Sequence, residues 1–215
     1  MRVDYLSEIL PSLLSGLGIT FKIFFLTVSG SLPIGIFASF GLRSKVILFR
    51  FLLNIYVWLM RGTPLLLQLI FVFYGLPMIG LTFNRYEAAL FAFILNYAAY
   101  FAEIFRGGIQ SIPIGQYEAA KVLHLSKLQT IQKVILPQVF KIVLPSIGNE
   151  VVNLVKDSSL IYVLGLSDLL RAGKVAMSRD VSLVPMIAVG IIYLLFIGLL
   201  TLLVKRIESH YSYYK

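Results

Sequence analysis

Residues 183–204 contain no charged side chain and stop at Lys205-Arg206. A run of about 20 apolar residues is long enough to cross a bilayer as a helix. Four more such stretches precede it, at 12–40, 65–81, 87–105 and 127–155. The chain is therefore read as an all-α polytopic membrane protein with five transmembrane helices. Composition agrees: 59% of the 215 residues are hydrophobic, against about half in a soluble domain. The segment 1–8 is mixed in charge, and the apolar stretch behind it is too long for a signal-peptide core.

Glycine and proline punctuate the spans. Gly30, Pro33, Gly35 and Gly41 mark the first as kinked and closely packed on a neighbour. Residues 46–60 carry Arg50, Asn54 and Trp58 on one face, as an interfacial helix would. Arg61-Gly62-Thr63-Pro64 breaks that helix before the second span. Residues 165–182 read as a polar loop. No repeat or second domain is apparent, so residues 1–215 are expected to form one membrane domain.

With five spans the ends lie on opposite sides. Arg43, Lys45, Arg50, Arg106, Lys121, Lys127, Lys133, Lys205, Arg206 and Lys215 fall on one side. Arg2, Arg85, Arg171, Lys174 and Arg179 fall on the other; Lys22, Arg61, Lys141 and Lys156 are unassigned. The larger set belongs in the cytoplasm, which puts the N-terminus outside. The net charge of +9 is thereby assigned to cytoplasmic loops rather than to nucleic acid. The absence of cysteine excludes disulfides and thiolate chemistry. Two histidines and ten carboxylates speak against a metal cluster.

Polar residues interrupt two spans. Asn96, Tyr100 and Glu103 fall within an arc of about 60° on the third helix. Asn149, Glu150, Asn153, Lys156 and Asp157 share an arc of about 120° on the fourth. An ionisable group at a helix centre costs about 2.5–3.5 kcal/mol on insertion scales. Such stripes face protein or an aqueous path, and a hydrophilic substrate route is the expectation. Internal pairing of Glu150 or Asp157 with Lys156 is the structural alternative. Carboxylates outnumber lysines at these positions, which favours a cationic cargo.

No Gly-x-x-x-x-Gly-Lys-Ser/Thr phosphate loop, Gly-x-Ser-x-Gly elbow or His-Glu-x-x-His pair occurs. The chain is expected to be a permeation element with its motor elsewhere. Between the third and fourth spans, Ser111-Ile-Pro113 and Gly115 read as breaks, and Glu118-Ala-Ala-Lys121 as the start of a compact helix. The small Ala119 and Ala120 allow another surface to approach.

That stretch resembles the cytoplasmic loop of ABC importer permeases, whose pattern is Glu-Ala-Ala, three residues, Gly, nine residues, Ile-x-Leu-Pro. Glu118, Ala119, Ala120, Leu136 and Pro137 match. His124 stands at the glycine position and Val134 at the isoleucine. The histidine leads one to expect a locally different turn. Arg61–Pro64, 102–113, Gly115-Gln116 and 154–160 narrow the resemblance to polar amino-acid importers of the histidine, glutamine and arginine type. The resemblance implies a type I importer fold with a coupling helix in the loop at about 111–137, where Gly115, Glu118, Ala119, Ala120 and His124 would meet an ATPase. It implies a second permease subunit (an identical copy favoured, a paralogue the alternative), two ATPase subunits holding ATP and Mg, and an extracytoplasmic binding protein. It places the chain in a prokaryotic plasma membrane, with an arginine, lysine or histidine cargo ahead of glutamine. A self-contained ion-coupled carrier, a membrane enzyme using buried carboxylates, and a scaffold recruiting an ATPase are the rival readings.

Overall fold

The computed structural model describes residues 3–211. All its elements are helical: α1 (Val3–Gly41), α2 (Ile47–Gly62), α3 (Leu65–Ile79), α4 (Arg85–Gln110), α5 (Ile114–Val122), α6 (Lys127–Leu164), α7 (Leu169–Asp180) and α8 (Val184–Tyr211). Four of them, Tyr5–Gly41, Arg85–Gln110, Lys127–Leu164 and Val184–Tyr211, are long and apolar enough to cross a membrane. The pair α2 and α3, bent by 108°, makes a fifth when counted as one broken span.

α4 is the axis on which α1, α2, α3 and α6 pack. It buries Ala88, Ala89, Ala92, Ala98, Ala99 and Ala102, and these small residues let backbones approach. α1 crosses it with its own small residues. A Cβ on Gly35 would lie 2.6 Å from that of Phe101 and 3.0 Å from the Ala98 carbonyl. The close packing expected of the first span is therefore present. α2 covers the same neighbourhood with Val57, Leu53 and Tyr56, and leaves Arg50, Asn54 and Trp58 exposed together.

Residues 165–182 are not a loop. Asp168 caps α7, accepting from Leu170 N at 3.1 Å and Arg171 N at 3.2 Å. Leu169, Gly173 and Ala176 form the buried stripe. Charged residues on the other face hide that stripe in a linear reading. α7 starts against α1, where Leu169 N donates to Thr20 Oγ1 at 3.3 Å.

The segment between the long helices also departs from expectation. α5 begins at Ile114 behind Pro113, so Gly115 lies inside the helix rather than breaking it, and Glu118 sits past the first turn. Ala120 is buried within the chain, whereas Ala119 is exposed. The turn after α5 keeps a tight geometry despite the histidine. His124 adopts φ 54°, its N–H donates to the Lys121 carbonyl, and Leu125 N donates to that of Ala120, each at 3.0 Å. These two bonds form a Schellman motif with His124 at the left-handed position usually taken by glycine. α6 then opens through a π-helical turn, Thr130–Ile135, just ahead of Pro137, whose ring and missing donor a regular helix would not accommodate.

A left-handed residue with a Cβ costs about 1–2 kcal/mol, part of which glycine returns through its greater freedom when unfolded. His124→Gly should therefore stabilise the fold by about 0.5–1 kcal/mol, and His124→Val should destabilise it. Thermal unfolding of the detergent-solubilised protein measures both.

Candidate functional site

The bend between α2 and α3 arises locally. Pro64 forces Thr63 into extended geometry at φ −119°, ψ 146°, and the helical hydrogen-bond ladder stops. Within a membrane-spanning segment the carbonyls this frees need donors, and three polar side chains supply them. Thr63 Oγ1 donates to the Leu59 carbonyl at 2.8 Å. Gln68 Nε2 donates to the Met60 carbonyl at 2.9 Å and to Thr63 Oγ1 at 2.8 Å, with the Thr63 carbonyl at 3.2 Å. Asn96 Nδ2, from α4, donates to the Met60 carbonyl and to Gln68 Oε1, both at 3.0 Å.

A cavity of about 710 Å³ opens against this break. Arg61, Gly62, Thr63, Pro64, Leu65 and Leu66 form one wall. α4 supplies Asn96, Tyr97 and Tyr100, and α6 supplies Glu150, Asn153, Lys156, Asp157 and Leu160. The two stripes read from the sequence therefore face one space. Tyr97 links them by donating to Asp157 Oδ2 at 2.8 Å.

Three sequence-predicted residues are placed differently. Asn149 is exposed and does not line the cavity, although its direction on α6 falls between those of Lys156 and Asn153. Glu103 sits just outside it. Arg106 holds it through Nη2 at 2.6 Å and Nε at 3.1 Å, and Arg61 Nη1 lies 3.8 Å away. Asn96 borders the cavity, but its amide donors are committed to the helix break. Lys156 faces the cavity, and among the described residues it forms no ion pair with Glu150 or Asp157, so the expected pairing alternative is not seen there.

Sequence reasoning did not assign Arg61 and Tyr97. Arg61 Cζ stands 5.4 Å from the centre of the Tyr100 ring, within cation–π range. Its signal was its place in Arg-Gly-Thr-Pro, at a break inside an apolar run. Tyr97 lay beside the stripe and read as an apolar aromatic. The cavity thus presents two cations, two carboxylates, two amides and two phenol rings across three elements. That set can bind a small zwitterion at both charged ends.

Near α5, Gln138 Nε2 on α6 donates to Gln116 Oε1 at 3.1 Å and to the Val134 carbonyl at 2.8 Å. Ile109, Ile112, Ile135, Val139 and Val143 form an apolar cluster with Tyr117 beneath it. Ile114, Val122 and Leu123 remain exposed on the outer surface, along with Glu118 and Ala119.

Comparison with known proteins places these features in context. Residues 31–213 match the family described as "Binding-protein-dependent transport system inner membrane component". The probable amino-acid ABC transporter permease YckA of Bacillus subtilis (strain 168) is 36% identical, over 96% of this chain and 92% of its own. The arginine transport system permease ArtQ of the same organism is 37% identical over 97% of each. A putative glutamine transport system permease of Rickettsia conorii is 34% identical over 96% and 97%. A crystal structure of an amino acid ABC transporter with histidines superposes with a TM-score of 0.89 at 33% identity, over 98% of this chain and 100% of that one.

The helix break yields a direct test. Gln68→Leu leaves the freed carbonyls short of a donor and should cost about 1–3 kcal/mol, as should Asn96→Leu. Because the two amides bond each other, a double-mutant cycle on thermal or denaturant unfolding should show a coupling of about 0.5–3 kcal/mol.

Proposed function

The chain belongs to the family of ABC importer permeases, the inner membrane components of binding-protein-dependent transport systems, and from that premise we propose how this subunit of an amino-acid importer binds its cargo and is driven. Residues 1–215 act as one membrane domain with the N-terminus outside, as the arginine and lysine distribution favours. The second permease subunit is an identical copy, with a paralogue as the alternative. Two ATPase subunits carry ATP and Mg, and an extracytoplasmic binding protein delivers the amino acid. The assembled complex hydrolyses ATP; this chain contributes the path.

One observation carries the cargo reading: Arg61, Lys156, Glu150 and Asp157 meet around a single cavity at a helix break. Its volume is of the order of small-molecule sites, about 300–1,000 Å³. Arg61 or Lys156 takes the carboxylate of the amino acid. Glu150 or Asp157 takes the ammonium. Arg61 also lines the cavity, so the simple excess of carboxylates over lysines does not decide side-chain preference. Glu103, however, is already engaged by Arg106 and Arg61. Arg61 is thus partly balanced by Glu103 at 3.8 Å, whereas Glu150 and Asp157 have no ion pair among the described residues. The second of these two serves a cationic side chain, and arginine, lysine or histidine is the proposed cargo ahead of glutamine.

α5 is the coupling helix. Ile114, Glu118, Ala119, Val122 and Leu123 form the face offered to the ATPase, and the buried Ala120 lets α5 sit close on its own chain. The Gln116–Gln138 bond and the isoleucine–valine cluster tie α5 to α6. A push on α5 is thereby passed to the helix that carries Glu150, Lys156 and Asp157. A packed interface of this kind transmits displacement rather than absorbing it.

Uptake by proteoliposomes containing the full complex tests the cargo. Arginine should outcompete glutamine and glutamate, and Asp157→Asn should weaken arginine uptake at least about tenfold, the loss of one charged contact being about 1.4 kcal/mol or more. Glutamine outcompeting arginine would sink the cationic assignment. Glu118→Lys should leave the complex assembled but abolish most substrate-stimulated ATP hydrolysis; an unchanged stimulation would remove α5 from the coupling role.

A further inference from the structure

We propose that Arg85 and Arg171, with Lys174 beside them, form the seat for acidic side chains of the extracytoplasmic binding protein; the assignment rests on the importer reading and the orientation above. α6 ends at Gly165, which adopts φ 78°. A Cβ there would lie 3.0 Å from Nη1 of Arg85 and 3.0 Å from Nη1 of Arg171. Two guanidinium groups, one from the start of α4 and one from the first turn of α7, therefore converge on the same glycine. Lys174 is exposed one turn further along α7, with its Nζ 4.5 Å from the centre of the Tyr162 ring.

Among the described residues no ion pair neutralises the cluster, and the carboxylate that acts electrostatically on Arg171 is the buried Asp168. Neither guanidinium takes part in any ion pair or side-chain hydrogen bond there. The nearby carboxylates are committed to other tasks. Asp168 is buried and accepts from the N–H groups of its own helix. Glu87 completes a capping box by accepting from Asn84 N at 3.0 Å. The carbonyl end of α6 attracts the cations, but a helix terminus amounts to only about half a charge. Positive charge held together in this way is relieved by an acidic surface, and it steers such a surface to the site.

The position suits a delivery partner. With the N-terminus outside, the start of α4 and the end of α6 both lie on the extracytoplasmic face. These are the two helices whose polar stripes line the cargo cavity. A protein seated on Arg85 and Arg171 thus rests on the outer ends of both walls. The chemistry required of it is a pair of Asp or Glu side chains at its docking surface.

The test uses the assembled transporter in nanodiscs of phosphatidylcholine, with or without phosphatidylglycerol, and the substrate-loaded binding protein as the probe. Arg85→Gln/Arg171→Gln should lower the affinity for the binding protein about tenfold at low salt and flatten its salt dependence. ATP hydrolysis without the binding protein should stay at the wild-type rate, which shows that the variant is folded and assembled. Lys174→Gln should have a smaller effect of the same kind. Arg171→Glu should be rescued by a binding protein carrying Lys in place of its acidic contact. Unchanged affinity in the double variant overturns the proposal. A loss confined to phosphatidylglycerol nanodiscs overturns it too and assigns the cluster to lipid headgroups. A wild-type complex that ignores the binding protein overturns the importer reading itself.

Discussion

A helix that breaks within a membrane span leaves carbonyls, that of Met60 among them, whose donors have to come from elsewhere in the protein or from a water-lined cavity. Here two buried amides supply them, Gln68 from just beyond the break and Asn96 from the neighbouring helix. This small network lets a membrane helix stop and turn by 108° without stranding its backbone. The rest of the site follows from the turn. The bend swings Arg61 towards Tyr100 and Glu103, opens space beside Pro64, and exposes the polar stripes of α4 and α6 to a common cavity. A continuous helix there would fill that space with its own side chains.

The second dependence is close packing around α4. Its alanines let α1, α2 and α6 lie near enough for their polar groups to meet. The hydrogen bond from Tyr97 to Asp157 is an instance, joining helices 60 positions apart in sequence. Association of helices in lipid draws on packing and polar contacts more than on the hydrophobic effect, so small residues and hydrogen bonds act together here. At the other end of α4 and α6 the same packing holds α5 firmly, through Gln116, Gln138 and the isoleucine–valine cluster. The cavity and the surface of α5 are thereby connected through one helix, α6.

Much of this architecture was legible in the linear chain. Apolar runs of membrane-spanning length identify the spans, and a period of about 3.6 residues groups Asn96 with Tyr100 and Glu150 with Asn153 and Asp157. The Glu-Ala-Ala segment is helical, though its helix starts one turn before Glu118, at Ile114. Other features were hidden because they depend on partners. The helix α7 was concealed by charged residues on its outer face, since only packing on α1 and α8 reveals which of its faces is buried. Gly115 read as a break because glycine usually is one, yet Pro113 ahead of it sets the start of α5. His124 read as an obstacle to a turn, but two backbone hydrogen bonds hold it in the left-handed conformation.

By itself, the sequence determined what kind of solvent each segment meets: which stretches enter lipid and which carry charge that lipid rejects. These follow from transfer free energies that act residue by residue. Tertiary structure alone decided which polar groups share a space. Arg61 joins the cavity because Pro64 bends the chain. Glu103 leaves it because Arg106, a turn away on the same helix, and Arg61, across the bend, claim its carboxylate. Arg85 meets Arg171 because two helix starts converge on Gly165. Proximity of this kind is a property of packing, and no local pattern encodes it.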